Sequence, residues 1–397
     1  MPFELTPEEE MVRKVVREFT EKEIIPHRRE LRAENWDFVM QLAKKQAAAG
    51  FHLNLIPRQK GGTGLGQIAR SITMEEICAG WPLIYPLLGT EFAWCFVNAT
   101  GGEVEKKWMP GIVKGSIFAS PMITESSGGS DVLGFTTAAR KDGNSWVING
   151  RKCFIHHAHI SDFGMVLAKT GDPNDPATKG VKALSAFIVE KDMPGFRLVR
   201  GENTLSEKAQ TSELVFDNVR VPENYLVGEV GRGIAPVFTA VGDIGRLGIT
   251  AMLNGCILGS YQCSVKFAKE RVLYGKPIST LQAIQWRIAD ILIDLETSRA
   301  LAYRAGWLRN KGIRCDAEQA VAKYFATQAA HRCALHAINI HGAYGVLEEY
   351  MPQVYYRFAP PMIGAGGTDE ILKQIMARAA LEGADPVIGS KAAESGL

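Results

Sequence analysis

The stretch FASPMITESSGGSD, residues 118–131, marks the change of texture that decides the fold. Before it, apolar residues recur at helical spacing, as in Phe38-Val39-Leu42-Ala43 and Ile72-Met74-Ile77-Cys78. From it onward run short β-type segments: FASPMI, TTAARK, SWVING, FGMVLAKT, LSAFIVE, FRLV and SELVFDNVRV. Turn signals separate them, among them Asp142-Gly143-Asn144 and Gly171-Asp172-Pro173-Asn174. Past residue 233 the helical texture returns, with long runs at 281–310 and 316–342. A helical block, a strand block and a second helical block predict an α+β fold with separate domains, not an alternating βαβ one. The expected boundaries are 1–117, a helical domain, 118–233, a small antiparallel β domain, and 234–397, a second helical domain. The closing GADPVIGSKAAESGL lacks periodicity and is expected to dock loosely or fray.

Composition narrows the function classes. A chain of 397 residues has ample core for two or three domains. With 46% hydrophobic and 22% charged residues it reads as an ordinary globular protein. A net charge of +2 and the lack of any basic block argue against a nucleic-acid partner. The seven cysteines show no C-x-x-C spacing, which argues against zinc and for a reducing compartment. The N-terminus reads as a helix starting at Thr6-Pro7, with Met11, Val12, Val15, Val16 and Phe19 as its apolar face. It resembles neither a secretion signal nor a transit peptide, and no apolar run reaches membrane-spanning length. The expectation is a cytoplasmic protein with no membrane partner. No G-x-G-x-x-G follows a strand, so a Rossmann dinucleotide site is not supported.

Three segments carry a resemblance. They are MITESSGGSD at 122–131, NGRKCFIHHA at 149–158 and RVLYGKPI at 271–278, the last followed by Leu281-Gln282. In this order and spacing they resemble the acyl-CoA dehydrogenase family, with its patterns T-E-P-x-A-G-S-D, N-G-x-K-x-W-I-T-N and R-x-x-F-G-x-x-I. The likeness extends to Gly342-Ala343-Tyr344-Gly345 and Gly367-Thr368-Asp369-Glu370-Ile371, so it spans nearly the whole chain. Each segment alone is a weak motif, and Phe154, Arg271 or Gly128-Gly129 alone reads as core, solvated charge or turn. All five in order are strong.

The resemblance implies an N-terminal helical domain, a middle antiparallel β domain and a C-terminal four-helix bundle, assembled as a homotetramer. It implies FAD as cofactor. By position, Ile123, Thr124, Phe154 and His156 would line the isoalloxazine ring. Arg271, Tyr274 and Gln282, with Asn339, Gly342 and Ala343, would hold the ADP part, partly from a neighbouring subunit. Thr368 and Glu370 would also face FAD, and Ser130, Asp243 and Arg246 would contact CoA. The residue types agree with this. Small residues let phosphates approach backbone amides, a threonine hydroxyl can donate to the ring, an aromatic can pack on it, and an arginine fork suits pyrophosphate. Three departures stand out: Phe154 replaces the usual Trp, Ser126 the usual Pro, and His156 the usual Thr or Ser. His156 either hydrogen-bonds the flavin or is a satisfied core histidine.

One element is missing. Members of this family take a proton α to a thioester with a carboxylate and pass the β hydrogen as hydride to flavin N5. In most members the base is a Glu just before the last helix; that position is Gly366 here. In others it lies early in the C-terminal domain; by alignment through Asp243 and Arg246 that position is Gly245. A replacement stands in the run WPLIYPLLGTEFAWCFV at 81–97, whose single charge is Glu91. If 87–97 is helical, Leu87, Leu88, Trp94 and Cys95 share the Glu91 face. A carboxylate there is costly unless paired or functional, and burial raises its proton affinity toward that of a working base. Glu91 is thus either a relocated base or the partner of a buried cation such as Arg70. By resemblance this helix lines the acyl end of the pocket. A base there suits the γ carbon of a cyclic enoyl thioester such as cyclohex-1-ene-1-carboxyl-CoA, giving a cyclic 1,3-diene. Electrons would then pass to an electron-transfer flavoprotein.

Three competing readings differ in class. A desulfinase-type lyase needs a cation near the pocket, and residues 80–100 hold no Arg or Lys. A non-catalytic acyl-CoA-binding flavoprotein would not need an acid in an apolar run. An enoyl-CoA reductase uses the same geometry in reverse.

Overall fold

The computed structural model describes residues 4–33, 35–82, 85–172, 174–206 and 211–383. The turn signal at Pro173 and the closing stretch from residue 384 onward lie outside the described residues. The chain forms two compact units. One comprises Met1–Asn35, Gly64–Ile84 and Gly245–Leu397; the other comprises Trp36–Thr63 and Tyr85–Ile244.

The first unit is helical: α1 (Pro7–Phe19), α2 (Arg28–Arg32), α4 (Gly66–Gly80), α8 (Leu247–Glu270), α9 (Gln282–Asn310), α10 (Asp316–His341), α11 (Pro352–Phe358) and α12 (Asp369–Leu381). Helix α1 begins where the sequence places it. The Thr6 hydroxyl accepts from the Glu9 amide and the Glu9 carboxylate from the Thr6 amide, a reciprocal cap. Its buried stripe is narrower than expected, for Val16 is buried while Met11 and Val15 are exposed. Helix α8 is the centre, buried along most of its length. It approaches α4 through Gly255, where a Cβ would stand 2.5 Å from the Cys78 Cβ; only glycine permits that distance. Charge pairs with buried carboxylates join the helices. Glu75 of α4 accepts from Arg299 Nε of α9 at 2.9 Å, and Arg332 of α10 donates to Asp294 of α9 at 2.7 Å.

The second unit is built on a sheet, with helices α3 (Trp36–Ala48), α5 (Tyr85–Thr100), α6 (Gly102–Val113) and α7 (Ile234–Thr239). The strands are β1 (Ala119–Met122), β2 (Ala138–Asp142), β3 (Ser145–His156), β4 (Phe163–Lys169), β5 (Leu184–Glu190), β6 (Phe196–Glu202), β7 (Thr211–Pro222) and β8 (Leu226–Val227). Their order is β6-β7-β3-β2-β4-β5-β8. Pairing is antiparallel except that β1 runs parallel to β4 in register Ala119↔Phe163, and β2 meets β4 parallel at one position. Trp146, Ile148, Ile155, Val166, Phe187, Leu214, Phe216 and Val219 form one buried cluster over the sheet. All seven segments read as strands from the sequence are strands.

Helix α7, the π-helical stretch Ala240–Arg246 and α8 form one continuous helix, Ile234–Glu270. By length and composition this helix could cross a membrane, its mean hydropathy reaching 1.2, which corrects the expectation that no apolar run is long enough. Within the protein, 61% of that apolar stretch is buried, so the apolar character serves the core. All seven cysteines are free thiols.

Candidate active site

Strand β3 brings the first group of predicted residues together. Its pairing with β7 slips between Lys152 and Ile155, and inside the slip Phe154 takes a φ of +55°. A bulge re-aims a side chain, and the Phe154 ring is 62% exposed. A non-glycine residue in this region costs roughly 1–2 kcal/mol, a strain kept where the surroundings impose it. The Cys153 amide donates to the Thr124 carbonyl at 3.0 Å, and Ser120 Oγ donates to the His156 carbonyl at 2.7 Å. Ile123 and Thr124 therefore lie beside Phe154 and His156. The His156 ring is half-buried and stands edge-on to His157 at 4.0 Å. His157 is the core histidine of this pair: it is buried, also meets Trp36, and burial with nearby His159 drives its pKa well below the ordinary value.

Under this surface lies a charge pair the sequence reading passed over. Lys152 is fully buried, and its Nζ donates to the Ile123 carbonyl at 2.8 Å and to Glu125 at 2.9 Å. The Glu125 carboxylate accepts further bonds from the Thr136 amide and hydroxyl and from the Thr137 amide, at 2.7, 2.8 and 3.0 Å. Burial pushes the Glu125 carboxyl up, but the bonds from Thr136 and Thr137 and the Lys152 ammonium outweigh it and hold it at about 2. Burial pushes Lys152 down to about 8, the attraction of Glu125 offsetting part of it. Both residues sit inside the quoted motifs, yet 27 positions apart, so no local pattern pairs them.

In the helical unit, the glycine loop before α12 has a defined shape. Gly366 has φ +69° and Gly367 φ +110°. Arg246 Nε donates to the Gly366 carbonyl at 2.9 Å. Lys323, fully buried on α10, donates to the carbonyls of Ile363 and Gly367 at 2.7 and 3.0 Å. Burial lowers Lys323 to about 8, with Asp369 opposing and Arg246 adding. Thr368 caps α12, accepting from the Ile371 amide, while Glu370 is exposed. A Cβ at position 366 would stand 3.6 Å from the amide nitrogen of Arg246, the residue next to Gly245, and 3.2 Å from Ile249 Cδ1. The two candidate base positions, 245 and 366, thus converge on one place, and both are glycine. Asp243 and Arg246 lie in the π-helical stretch, a geometry frequent at functional sites; Asp243 is half-buried and Arg246 buried.

The second predicted group lies on the same helical unit. Arg271 leads into the hairpin β9 (Val272–Leu273) and β10 (Lys276–Pro277), with Tyr274 at its tip, 89% exposed and at φ +53°. The Arg271 guanidinium lies 5.6 Å over the Tyr344 ring, which brings it beside Gly342 and Ala343 at the end of α10. Gly342 has φ +59° and open space where a Cβ would be, and Asn339 is exposed one turn before it. Gln282 opens α9, exposed. An exposed guanidinium, a bare backbone turn and an exposed aromatic held at positive φ fit a dinucleotide carrying a flat ring system.

Glu91 lies in α5 and is 2% exposed, between Leu87 and Leu88 one turn before and Trp94 and Cys95 one turn after. Arg70, its candidate partner, is buried in α4 and donates to Gln67 of its own helix at 3.2 Å. Ser130 is exposed in the turn after Gly128-Gly129, and its neighbour Asp131 caps the next turn through the Gly134 amide. Among the described residues no group of three or more His, Cys, Asp or Glu side chains could hold a metal ion.

Comparison with known proteins gives the same reading along the whole chain. "Acyl-CoA dehydrogenase, N-terminal domain" matches residues 6–116, the middle domain 120–219 and the C-terminal domain 231–381. An acyl-CoA dehydrogenase of Bacillus subtilis is 34% identical over 386 residues, covering 96% of this chain and 99% of the relative. The caffeyl-CoA reductase-Etf complex subunit CarC of Acetobacterium woodii is 30% identical over 371 residues, covering 92% and 96%. The solved structure of a glutaryl-coenzyme A dehydrogenase glutaryl-CoA complex superposes with a TM-score of 0.89 at 30% identity, covering 98% of this chain and 99% of that one. The chain belongs to the acyl-CoA dehydrogenase family, whose members are FAD-dependent oxidoreductases acting on acyl-CoA thioesters.

Proposed function

We propose that this protein dehydrogenates an alicyclic enoyl-CoA thioester, such as cyclohex-1-ene-1-carboxyl-CoA, with Glu91 as the base. The observation that carries the proposal is the convergence of Gly245 and Gly366 on one place without a carboxylate. The buried acid on the apolar helix α5 is its complement.

FAD, when bound, supplies the two-electron acceptor. Ile123, Thr124, Phe154 and His156 hold its ring, with Thr368 and Glu370 facing it. Arg271, Tyr274, Gln282, Asn339, Gly342 and Ala343 hold its ADP part. Ser130, Asp243, Arg246 and Gly366 bind the CoA thioester. The Glu91 carboxylate takes the γ proton, which is acidic because the carbanion delocalises through the conjugated thioester. The hydride leaves the ring carbon on the other side of the thioester-bearing carbon. One proton and one hydride are lost, and the remaining electron pairs close a second conjugated ring double bond. Exposed Tyr274, Trp286 and Ile293 on the helical unit support burial against further copies in a homotetramer. An electron-transfer flavoprotein is the proposed acceptor, in the cytoplasm, where free thiols persist.

A second reading is reduction of an enoyl-CoA, with Glu91 delivering the proton. The relative named as a caffeyl-CoA reductase-Etf complex subunit favours it. Anaerobic mixing of the protein with cyclohex-1-ene-1-carboxyl-CoA, beside butyryl-CoA, tests the main proposal. Bleaching of the flavin absorbance by the cyclic thioester alone is the expected result; bleaching by butyryl-CoA alone overturns it.

A further inference from the structure

Glu125 and Lys152 form a deeply enclosed ion pair in the sheet unit, at 3% and 0% side-chain exposure. Nothing in the proposed chemistry uses them. Their neighbours explain why they are there. Lys152 Nζ donates to the carbonyl of Ile123, one residue before Thr124, and Lys152 itself stands two residues before Phe154. Its ammonium also lies 4.4 Å over the Phe135 ring, and that ring is wholly buried. Glu125 reaches the other way, to the backbone of Thr136 and Thr137 at the entry to β2. One buried pair therefore ties three segments: the loop leaving β1, the entry to β2 and the bulged end of β3.

A pair of this kind is a poor source of stability, because removing two charges from water offsets most of their attraction. It is a strong source of definition, since each partner is costly to leave unmatched. The strain at Phe154 needs such definition: without it, a residue at φ +55° would relax toward the ordinary strand region. The other bonds between these segments, from the Cys153 amide to the Thr124 carbonyl, from Ser120 Oγ to the His156 carbonyl and from Thr137 Oγ1 to the Arg151 carbonyl, join uncharged groups.

We propose that Lys152 and Glu125 are positioning residues for the flavin ring, holding Thr124 and the strained Phe154 in one relative placement, so that FAD capture depends on a pair that never touches FAD. The proposal rests on the reading of Ile123, Thr124, Phe154 and His156 as the ring-facing set.

The test is FAD binding to the full-length protein, followed by quenching of flavin fluorescence, for wild type, Lys152→Met, Glu125→Gln and Val219→Ala. Val219 is fully buried in the sheet core opposite Ile148, before the slip in β3 that carries Phe154, and its truncation lowers stability by a cavity. The expected result is that Lys152→Met and Glu125→Gln each weaken FAD binding about tenfold or more, as for a lost charge-assisted bond. Val219→Ala should lower the melting temperature while binding FAD as wild type does. If Lys152→Met does not fold, Glu125→Gln, which keeps the volume and an acceptor oxygen, decides. Folded Glu125→Gln with wild-type FAD affinity overturns the proposal. A wild-type protein that binds no FAD overturns the ring-facing reading itself, and is seen before any variant is compared.

Discussion

Arg246 Nε donates to the carbonyl of Gly366 at 2.9 Å, and the same residue's amide nitrogen lies 3.6 Å from where a Gly366 side chain would begin. The loop is thus fastened to the helix that carries the other candidate base position, and both positions are bare. Gly366 is held at φ +69°, where a side chain is strained. Gly366→Ala should lower stability by about 1–2 kcal/mol, read by thermal unfolding. Gly366→Glu should carry the same cost and confer weak flavin bleaching by butyryl-CoA. A folded Gly366→Glu protein inert to butyryl-CoA would contradict the placement of the substrate α carbon at this loop.

Lys323 anchors the same loop from below through the carbonyls of Ile363 and Gly367, and faces Asp369 at 4.0 Å. Lys323→Met leaves those oxygens buried without the ammonium. A loss of about 3 kcal/mol is expected, with faster amide hydrogen exchange confined to residues 359–372. Uniform exchange across α10 and α12, with the loop unchanged, would refute the anchoring role.

Phe154 combines backbone strain with an exposed ring. Phe154→Gly removes a side chain that is exposed and strained at φ +55°, so the apoprotein should melt higher or unchanged. FAD affinity should fall by about tenfold, the worth of an aromatic contact. Unchanged FAD affinity would remove Phe154 from the ring-facing set.

Glu125 sets an acid limit. Its carboxyl is held at about 2 in the folded protein, against an ordinary value of 4.5. Between those values the unfolded chain binds more protons than the native one, so stability rises with pH there. The contribution is complete above 4.5 and is lost as pH falls toward 2. Lys152→Met removes one of the groups that hold the carboxyl down, so its acid-unfolding midpoint should lie at higher pH than that of wild type. Coincident acid transitions would contradict this.

The architecture was legible because each block repeats its period many times. Short β-type runs recur seven times between turn signals, and α9 and α10 appear within a residue or so of their sequence limits. The site was legible only in part. The sequence pattern marks SWVING as a six-residue strand, whereas β3 continues through the bulge to His156; Gly150 at φ +153° and Phe154 at φ +55° break the alternation that would reveal the rest. The proposed ring-facing surface begins where the pattern fails. The parallel pairing of β1 with β4 leaves no trace in either strand, and Lys152 meets Glu125 only through topology. Met11 and Val15 show the opposite limit: helical spacing marks a face as apolar but not what covers it. Glu91 was the clearest signal, one charge in an apolar run, and its side chain is buried as that run predicts.

The measurement that tests the central claim most directly compares wild type with Glu91→Gln, each loaded with FAD, mixed anaerobically with cyclohex-1-ene-1-carboxyl-CoA in a stopped-flow instrument. Glutamine keeps the shape and removes the base, so flavin bleaching should slow by about 10²–10⁴-fold while FAD and thioester binding persist. Bleaching at the wild-type rate in Glu91→Gln would show that Glu91 is not the base.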